Sequence, residues 1–354
     1  MRIGITYDLK TDLPTAADLP DDFQEEFDSP ATVEAIAAAL RGLGHQVEKL
    51  GDGRELLQRL LADPPEFVFN FAEGQGVGRS REARVPAVLE MLDIPYTGSD
   101  PLTLAVTLDK DCAKRIVQSA GVAVPAWQVF EPGEDPAAFA RRYDLPAAAI
   151  VKPAWEGSSK GIRGRCVVEC PQDLVRALEG LCRDHRQPVL VEEYVEGDEL
   201  TVGVLGNDPP RVLGVMRVLP QQPQPSGRFV YSLEVKRDYL RQVYYECPAR
   251  LPPARLQAVE EAALRAYRAL GCRDVARVDF RLRDGVPYFL EVNPLPGLNP
   301  ESSDLVIMAR LLGWTHERLV EHILQAALDR VGYLCGCCSA RNPGVDCGTR
   351  RARQ

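Results

Sequence analysis

No stretch of this 354-residue chain is long and apolar enough to cross a membrane. Its start, Met1-Arg2-Ile3-Gly4-Ile5-Thr6-Tyr7-Asp8, reads as a short strand and lacks the apolar run of a signal peptide. Nor is there a basic stripe in the part expected to fold. The net charge is −9 and the pI near 5.2, which argues against a nucleic-acid partner. Internal repeats are absent. Six of the ten cysteines, Cys112, Cys166, Cys170, Cys182, Cys247 and Cys272, fit no zinc template and read as buried reduced thiols. The other four, Cys335, Cys337, Cys338 and Cys347, have no histidine beside them, and their spacing matches no metal motif. Residues 332–354 therefore read as a basic, disordered tail. These absences point to a cytoplasmic protein that uses neither membrane nor nucleic acid. Apolar residues make up 45% and charged residues 26%, as in an ordinary globular protein. The length suits two or three α/β lobes better than one core.

Over residues 1–99 strands and helices alternate, which predicts a parallel, doubly wound sheet. The expected strands are 2–7, 46–50, 67–71 and 94–96. Ser29-Pro30 opens a helix that Gly44 closes. The acidic segment 9–27 reads as a loop able to lie over a site. Residues 100–196 predict a small lobe with strands at 148–153, 162–168 and 189–195 and a helix at 171–182. A third lobe, 197–331, has strands at 200–205 and 212–218 and a helix at 253–270. Two further strands and two closing helices complete it.

Those two further strands carry the chemistry. Ala276-Arg277-Val278-Asp279-Phe280 and Leu290-Glu291-Val292-Asn293-Pro294-Leu295-Pro296-Gly297 are joined by a turn at Asp284-Gly285. Residues two apart share a face of a strand, so Arg277 lies with Asp279 and Glu291 with Asn293. If the two faces coincide, two carboxylates and an amide oxygen suit Mg²⁺, and the arginine suits an oxyanion or phosphate. An exposed hairpin with a wet polar side is the bland alternative. The apolar neighbours Val275, Val278, Phe280, Phe289 and Leu290 argue for a covered sheet instead. Register sets a condition. A plain two-residue turn would turn Glu291 to the wrong face, so a longer loop or a bulge is expected. Upstream, Lys152 ends a strand just before Glu156-Gly157-Ser158-Ser159-Lys160-Gly161. Glycines let backbone N–H groups approach phosphate, serines add donors, and the lysine adds a cation. Alone, that loop would read as a flexible hairpin. Gly297 offers an N–H that its neighbours Pro294 and Pro296 lack, or it serves only the turn's geometry.

Six segments fall in one order: Ile94-Pro95-Tyr96-Thr97-Gly98-Ser99, Leu108-Asp109-Lys110, Val151-Lys152-Pro153, the Gly/Ser loop, Glu192-Glu193-Tyr194-Val195-Glu196-Gly197-Asp198-Glu199, and the paired strands. Over about residues 67 to 325 the chain resembles the ATP-grasp superfamily, and within it the D-alanine–D-alanine ligases. The resemblance implies an α/β ATP-grasp fold: an N-terminal doubly wound lobe and two α+β lobes that clamp ATP. It implies ATP-dependent joining of a carboxylate to an amine through an acyl phosphate. Two Mg²⁺ ions (or Mn²⁺) would be held by Asp279, Glu291 and Asn293. Lys110, Lys152, Gly157, Ser158 and Ser159 would meet the nucleotide phosphates. Glu192, with the backbone of Glu193 and Val195, would read adenine, and Glu199 the ribose. Arg277, Gly297, Ser158 and the loop lysine Lys236 would form the catalytic set.

The amino-acid half departs from the family pattern. The family's acidic residue after an N-terminal Gly-rich turn has no counterpart in Tyr7-Asp8-Leu9-Lys10-Thr11-Asp12, and its His-Gly pair is Glu73-Gly74. Asp8 and Glu73 are candidates for a substrate ammonium, and Arg79, Arg81 or Arg237 for a carboxylate. Ser302 and Ser303 lie in the altered last substrate loop. Charge at these positions implies a substrate with extra charge. The partners implied are small amino-acid or carboxylate substrates, and a homodimer is compatible with the resemblance. The alternative is a non-catalytic nucleotide-binding module on the same fold.

Overall fold

The computed structural model describes residues 1–10, 19–143, 147–222 and 227–332. The tail cysteines Cys335, Cys337, Cys338 and Cys347 lie outside them. The first lobe holds β1 (Arg2–Tyr7), α1 (Pro30–Gly42), β2 (Gln46–Lys49), α2 (Gly53–Ala62), β3 (Phe67–Phe71) and α3 (Arg84–Met91). Its sheet is parallel, in the order β2-β1-β3. Both faces are covered, as a doubly wound sheet requires. Ile3, Ile5, Phe67 and Phe69 pack on Ile36 and Leu40 of α1. Val68 faces the other way, onto Leu56 and Leu60 of α2 and Leu89 of α3. Ser29 caps α1 by accepting from the Thr32 N–H at 3.1 Å, with Pro30 in the first turn. The strand expected at Ile94–Tyr96 is reduced to one bridge, Val68 with Tyr96. Pro95 has no N–H to extend it, and only its carbonyl takes part, accepting from Val68.

Next come α4 (Pro101–Leu108) and α5 (Lys110–Ser119), capped by the side chains of Asp100 and Asp109. The small lobe follows with β4 (Trp127–Phe130), α6 (Pro136–Arg142), β5 (Ala149–Pro153), β6 (Val167–Val168), α7 (Pro171–His185) and β7 (Val189–Glu193). Its sheet is antiparallel, in the order β4-β7-β5-β6. The sequence reading missed β4 and α6 and made β6 too long. The reason for the last is a turn inside the expected strand, at Gly164-Arg165, closed by the Cys166 N–H donating to the Arg163 carbonyl at 2.8 Å.

The third lobe contains β8 (Asp198–Leu205), β9 (Arg211–Pro220), α8 (Leu233–Arg237), α9 (Tyr239–Gln242), β10 (Val243–Glu246), α10 (Pro253–Ala269), β11 (Val275–Arg283), β12 (Val286–Asn293), α11 (Asp304–Leu311) and α12 (His316–Arg330). The antiparallel sheet runs β10-β9-β8-β11-β12. Val202, Ala276, Val278, Phe280 and Phe289 bury one face against Val259, Ala263 and Tyr267 of α10. Helix α12 returns to the first lobe and packs against α1.

The turn between β11 and β12 has two residues, Asp284 and Gly285, both left-handed (φ 52° and 84°). That is the short turn that would misplace Glu291. A bulge corrects it: Phe280 pairs with Phe289, but Asp279 pairs with Glu291, leaving Leu290 as the extra residue. The core explains the bulge. Phe289 and Val292 are three apart and both buried in the α10 cluster, which an unbroken strand could not arrange. Of the six scattered cysteines, all are free, yet only Cys166 and Cys272 are buried; the other four are half-buried.

Candidate active site

Alternation along β11 turns Ala276, Val278 and Phe280 into the core and leaves Arg277, Asp279 and Arg281 on the opposite face. The bulge brings Glu291 and Asn293 to that same face. Arg277 donates to both oxygens of Asp279 (Nε at 3.2 Å, Nη2 at 2.9 Å) and lies 3.5 Å from Asp304. Asp279 also accepts from Thr201 at 2.9 Å and from the Asn293 amide at 3.3 Å. Glu291 lies 3.3 Å from the Lys110 ammonium. Burial opposes charge on Glu291, but Lys110, Lys152, Arg277 and Lys236 outweigh it and hold its carboxyl down at about 2. Asp279 moves the other way, pushed up by burial and by the charge of Glu291 against the pull of Arg277.

Two cavities meet at this face. The larger, about 260 Å³, is lined by Lys110, Gly157, Ser158, Asn293, Gly297, Ser302, Ser303 and Glu73. The smaller, about 70 Å³, is lined by Lys152, Ser159, Glu192, Glu193, Val195, Glu199 and Asp279. Arg277, Glu291 and Lys236 border both. The Lys236 ammonium stands 5.3 Å from the centre of the Tyr231 ring. Glu199 is paired with Arg281 at 2.7 Å, and Glu193 with Arg283 at 2.6 Å. Gly297 has no room for a side chain: a Cβ would meet the Ser303 Oγ at 2.7 Å. That Oγ accepts from the Asn299 N–H, so it is held in place.

Lys152 donates to Glu192 at 2.6 Å, and Lys114 lies 2.8 Å from the other oxygen of Glu192. All three side chains are buried. Burial, partly offset by Glu192 and reinforced by Lys152, lowers Lys114 to about 8. Sequence reasoning missed Lys114, although it stands four residues after Lys110 on one helix. It also missed Arg281, the next residue in the Arg277–Asp279 alternation. Tyr231, which donates to Asp304 at 3.0 Å, had no local signal, because the pair is brought together only by the fold.

Four of the substrate candidates, Asp8, Arg79, Arg81 and Arg237, line neither cavity. The buried Asp8 carboxylate accepts from the Gly74 N–H at 2.8 Å and from Gln75 at 3.3 Å, pinning the turn after β3. Arg237 instead ties α8 to residues 21–25 through Asp21 (2.9 Å) and Glu25 (2.8 Å). Arg81 is buried between Glu26 (2.7 Å) and Glu156 (3.1 Å), and Arg79 pairs with Asp109. None of these arginines faces the cavities as a free carboxylate holder. The segment that follows residue 18 does lie over the site. Its Glu26 accepts from the Gly157 N–H and pairs with Arg81 and Lys160.

A clamp of two antiparallel lobes over a Gly/Ser loop, with carboxylates on a bulged hairpin and an α/β lobe beside it, defines the ATP-grasp class. A family model described as "D-ala D-ala ligase C-terminus" matches residues 116–325. The D-alanine–D-alanine ligase of Syntrophotalea carbinolica is 36% identical over 296 residues, covering 84% of this chain and 90% of that protein. That of Aquifex aeolicus is 37% identical over 295 residues, 83% of this chain and 93% of its own. The crystal structure of the Bacillus anthracis D-alanine–D-alanine ligase complexed with ATP covers 94% of this chain and 99% of its own, with a TM-score of 0.70 at 22% identity. The chain belongs to the D-alanine–D-alanine ligase family.

Proposed function

We propose that the protein is an ATP-dependent ligase that joins a carboxylate to an amine through an acyl phosphate. The observation that carries this reading is the bulge at Leu290. It sets Arg277, Asp279, Glu291 and Asn293 on one face, beside Lys110 and the Gly/Ser loop. The division into lobes 1–99, 100–196 and 197–331 belongs to the same reading, as does a cytoplasmic location, where ATP and free amino acids are available. A homodimer has only the family resemblance behind it.

In this reading the smaller cavity receives the nucleotide base and ribose. Glu192 and the backbone of Glu193 and Val195 face adenine, and Glu199 faces the ribose. Lys110 and Lys152 answer the phosphate charge, with Gly157, Ser158 and Ser159 as backbone and hydroxyl donors. The donors of Asp279, Glu291 and Asn293 are hard oxygens in a partly covered site, which fits Mg²⁺ or Mn²⁺. Such ions, when bound, supply charge neutralisation of the transferring phosphoryl group. The chain's own groups do the rest. Arg277 and the Gly297 N–H face the carbon under attack and stabilise its oxyanion. Lys236, on α8 above both cavities, covers the phosphates and helps exclude water. Ser302 and Ser303 border the amino-acid end.

Phosphate release from ATP, measured with pools of amino acids and with mass detection of the amide product, tests the proposal. Amino-acid-dependent release supports a ligase. Binding of ATP with no release from any pool would favour the non-catalytic module.

A further inference from the structure

The end of the larger cavity away from the nucleotide is walled by acid. Glu73 follows β3, Glu82 sits in the short 3₁₀ turn Arg81–Ala83, and Asp28 immediately precedes the α1 cap. Three separate segments thus turn carboxyl groups to one space. Glu82 is only 8% exposed, lines the cavity, and has no hydrogen-bond or ion-pair partner among the described residues. A buried carboxyl group without a partner is costly, and native proteins rarely keep one idle.

The neighbouring cations Lys10, Arg81 and Lys110 act on these carboxyl groups only across space, and their close contacts are with other partners. Arg81 is spent on Glu26, Glu156 and the Trp155 carbonyl. Lys110 is held by the Glu156 carbonyl and by Glu291. Lys10 borders the cavity but stands 4.0 Å from Glu25. A metal ion does not resolve the excess, because no group of three or more His, Cys, Asp or Glu among the described residues is placed to hold one. The ligand that suits dispersed carboxyl groups is an organic ammonium, whose three N–H donors reach several acceptors at once. An amino acid with a neutral side chain offers this wall only its α-ammonium, whereas a diamino acid offers a second ammonium on a longer reach.

Resting on the ligase reading, we propose that this site takes a diamino acid. Its reacting group lies toward Arg277 and Gly297, and its side-chain ammonium lies among Glu73, Glu82 and Asp28.

The test compares pairs that differ only in side-chain charge: ornithine against norleucine, and 2,4-diaminobutyrate against norvaline, in both enantiomers. Each is assayed two ways with Mg²⁺ present: by ATP-dependent phosphate release, and by calorimetric binding to the protein loaded with a non-hydrolysable ATP analogue. The diamino member of a pair should be preferred by at least about tenfold, the equivalent of about 1.4 kcal/mol. Glu82→Gln and Glu73→Gln should erase that preference while leaving the KM for ATP unchanged. The wild-type comparison needs no variant, so a folding defect cannot mask the result. Equal or better binding of the neutral member in wild type overturns the inference. Phosphate release with neutral amino acids only would leave the ligase reading standing and this inference rejected. A charge preference in calorimetry with no release from any amino acid would do the opposite.

Discussion

Two buried lysines share one carboxylate beneath the nucleotide cavity, and the arithmetic of that trio makes a sharp prediction. Lys114 and Lys152 both depend on Glu192, at 2.8 and 2.6 Å. Lys114→Met removes one of two cations and leaves a balanced pair, Lys152 with Glu192. Methionine also roughly conserves volume, so the cost should stay below about 1.5 kcal/mol. Glu192→Gln removes the counter-charge that both buried lysines share, which should cost about 3–5 kcal/mol. Part of that cost depends on pH. Lys114 titrates near 8 in the fold, below its unfolded value. The unfolded chain therefore holds this proton more tightly, and stability rises with pH from about 8 toward the unfolded value. In Glu192→Gln the lysine falls further and is already neutral at pH 7. The difference from wild type at pH 7 is about one pH unit, or about 1.4 kcal/mol, and it vanishes by about pH 9. Urea unfolding at pH 7 and pH 9 measures both effects. The gap between Glu192→Gln and wild type should narrow by about that amount at the higher pH. Equal costs for the two variants, or a gap that widens with pH, would refute the reasoning.

Glu291→Gln should lower turnover by about a thousandfold or more while changing ATP affinity by less than about tenfold, because the carboxylate acts on the phosphates in transfer; single-turnover kinetics beside nucleotide titration would show it. Chelation with EDTA should stop turnover, and Mg²⁺ or Mn²⁺ should restore it, as measured by phosphate release. Gly297→Ala should cut kcat by about ten- to a hundredfold, with a modest fall in melting temperature, since its Cβ would press on the Ser303 Oγ beside the reacting centre.

The parts of the site that were legible in the sequence share a physical feature: their geometry is local. Strand alternation alone placed Arg277 with Asp279, and parity across the Asp284-Gly285 turn required the irregularity that the structure places at Leu290. Capping chemistry located the start of α1 at Ser29. What was missed is set by tertiary contact. Asp8 directly follows β1, where a ligand-binding residue would stand, yet it serves Gly74 and Gln75, whose approach depends on how β1 pairs with β3. Arg237 looked free because its partners, Asp21 and Glu25, lie more than two hundred residues away. The short strands β4 and β10 gain their place only by pairing with β7 and β9, partners distant in sequence.

The central claim is that a substrate carboxylate attacks the γ-phosphate and becomes an acyl phosphate. Amino acid labelled with ¹⁸O in its carboxylate, turned over with ATP and an amine acceptor, tests it directly. The released phosphate, analysed by mass spectrometry, should carry one ¹⁸O atom from the carboxylate for each amide bond formed. Unlabelled phosphate, with ATP consumed, would mean that the carboxylate is never phosphorylated and would contradict the account.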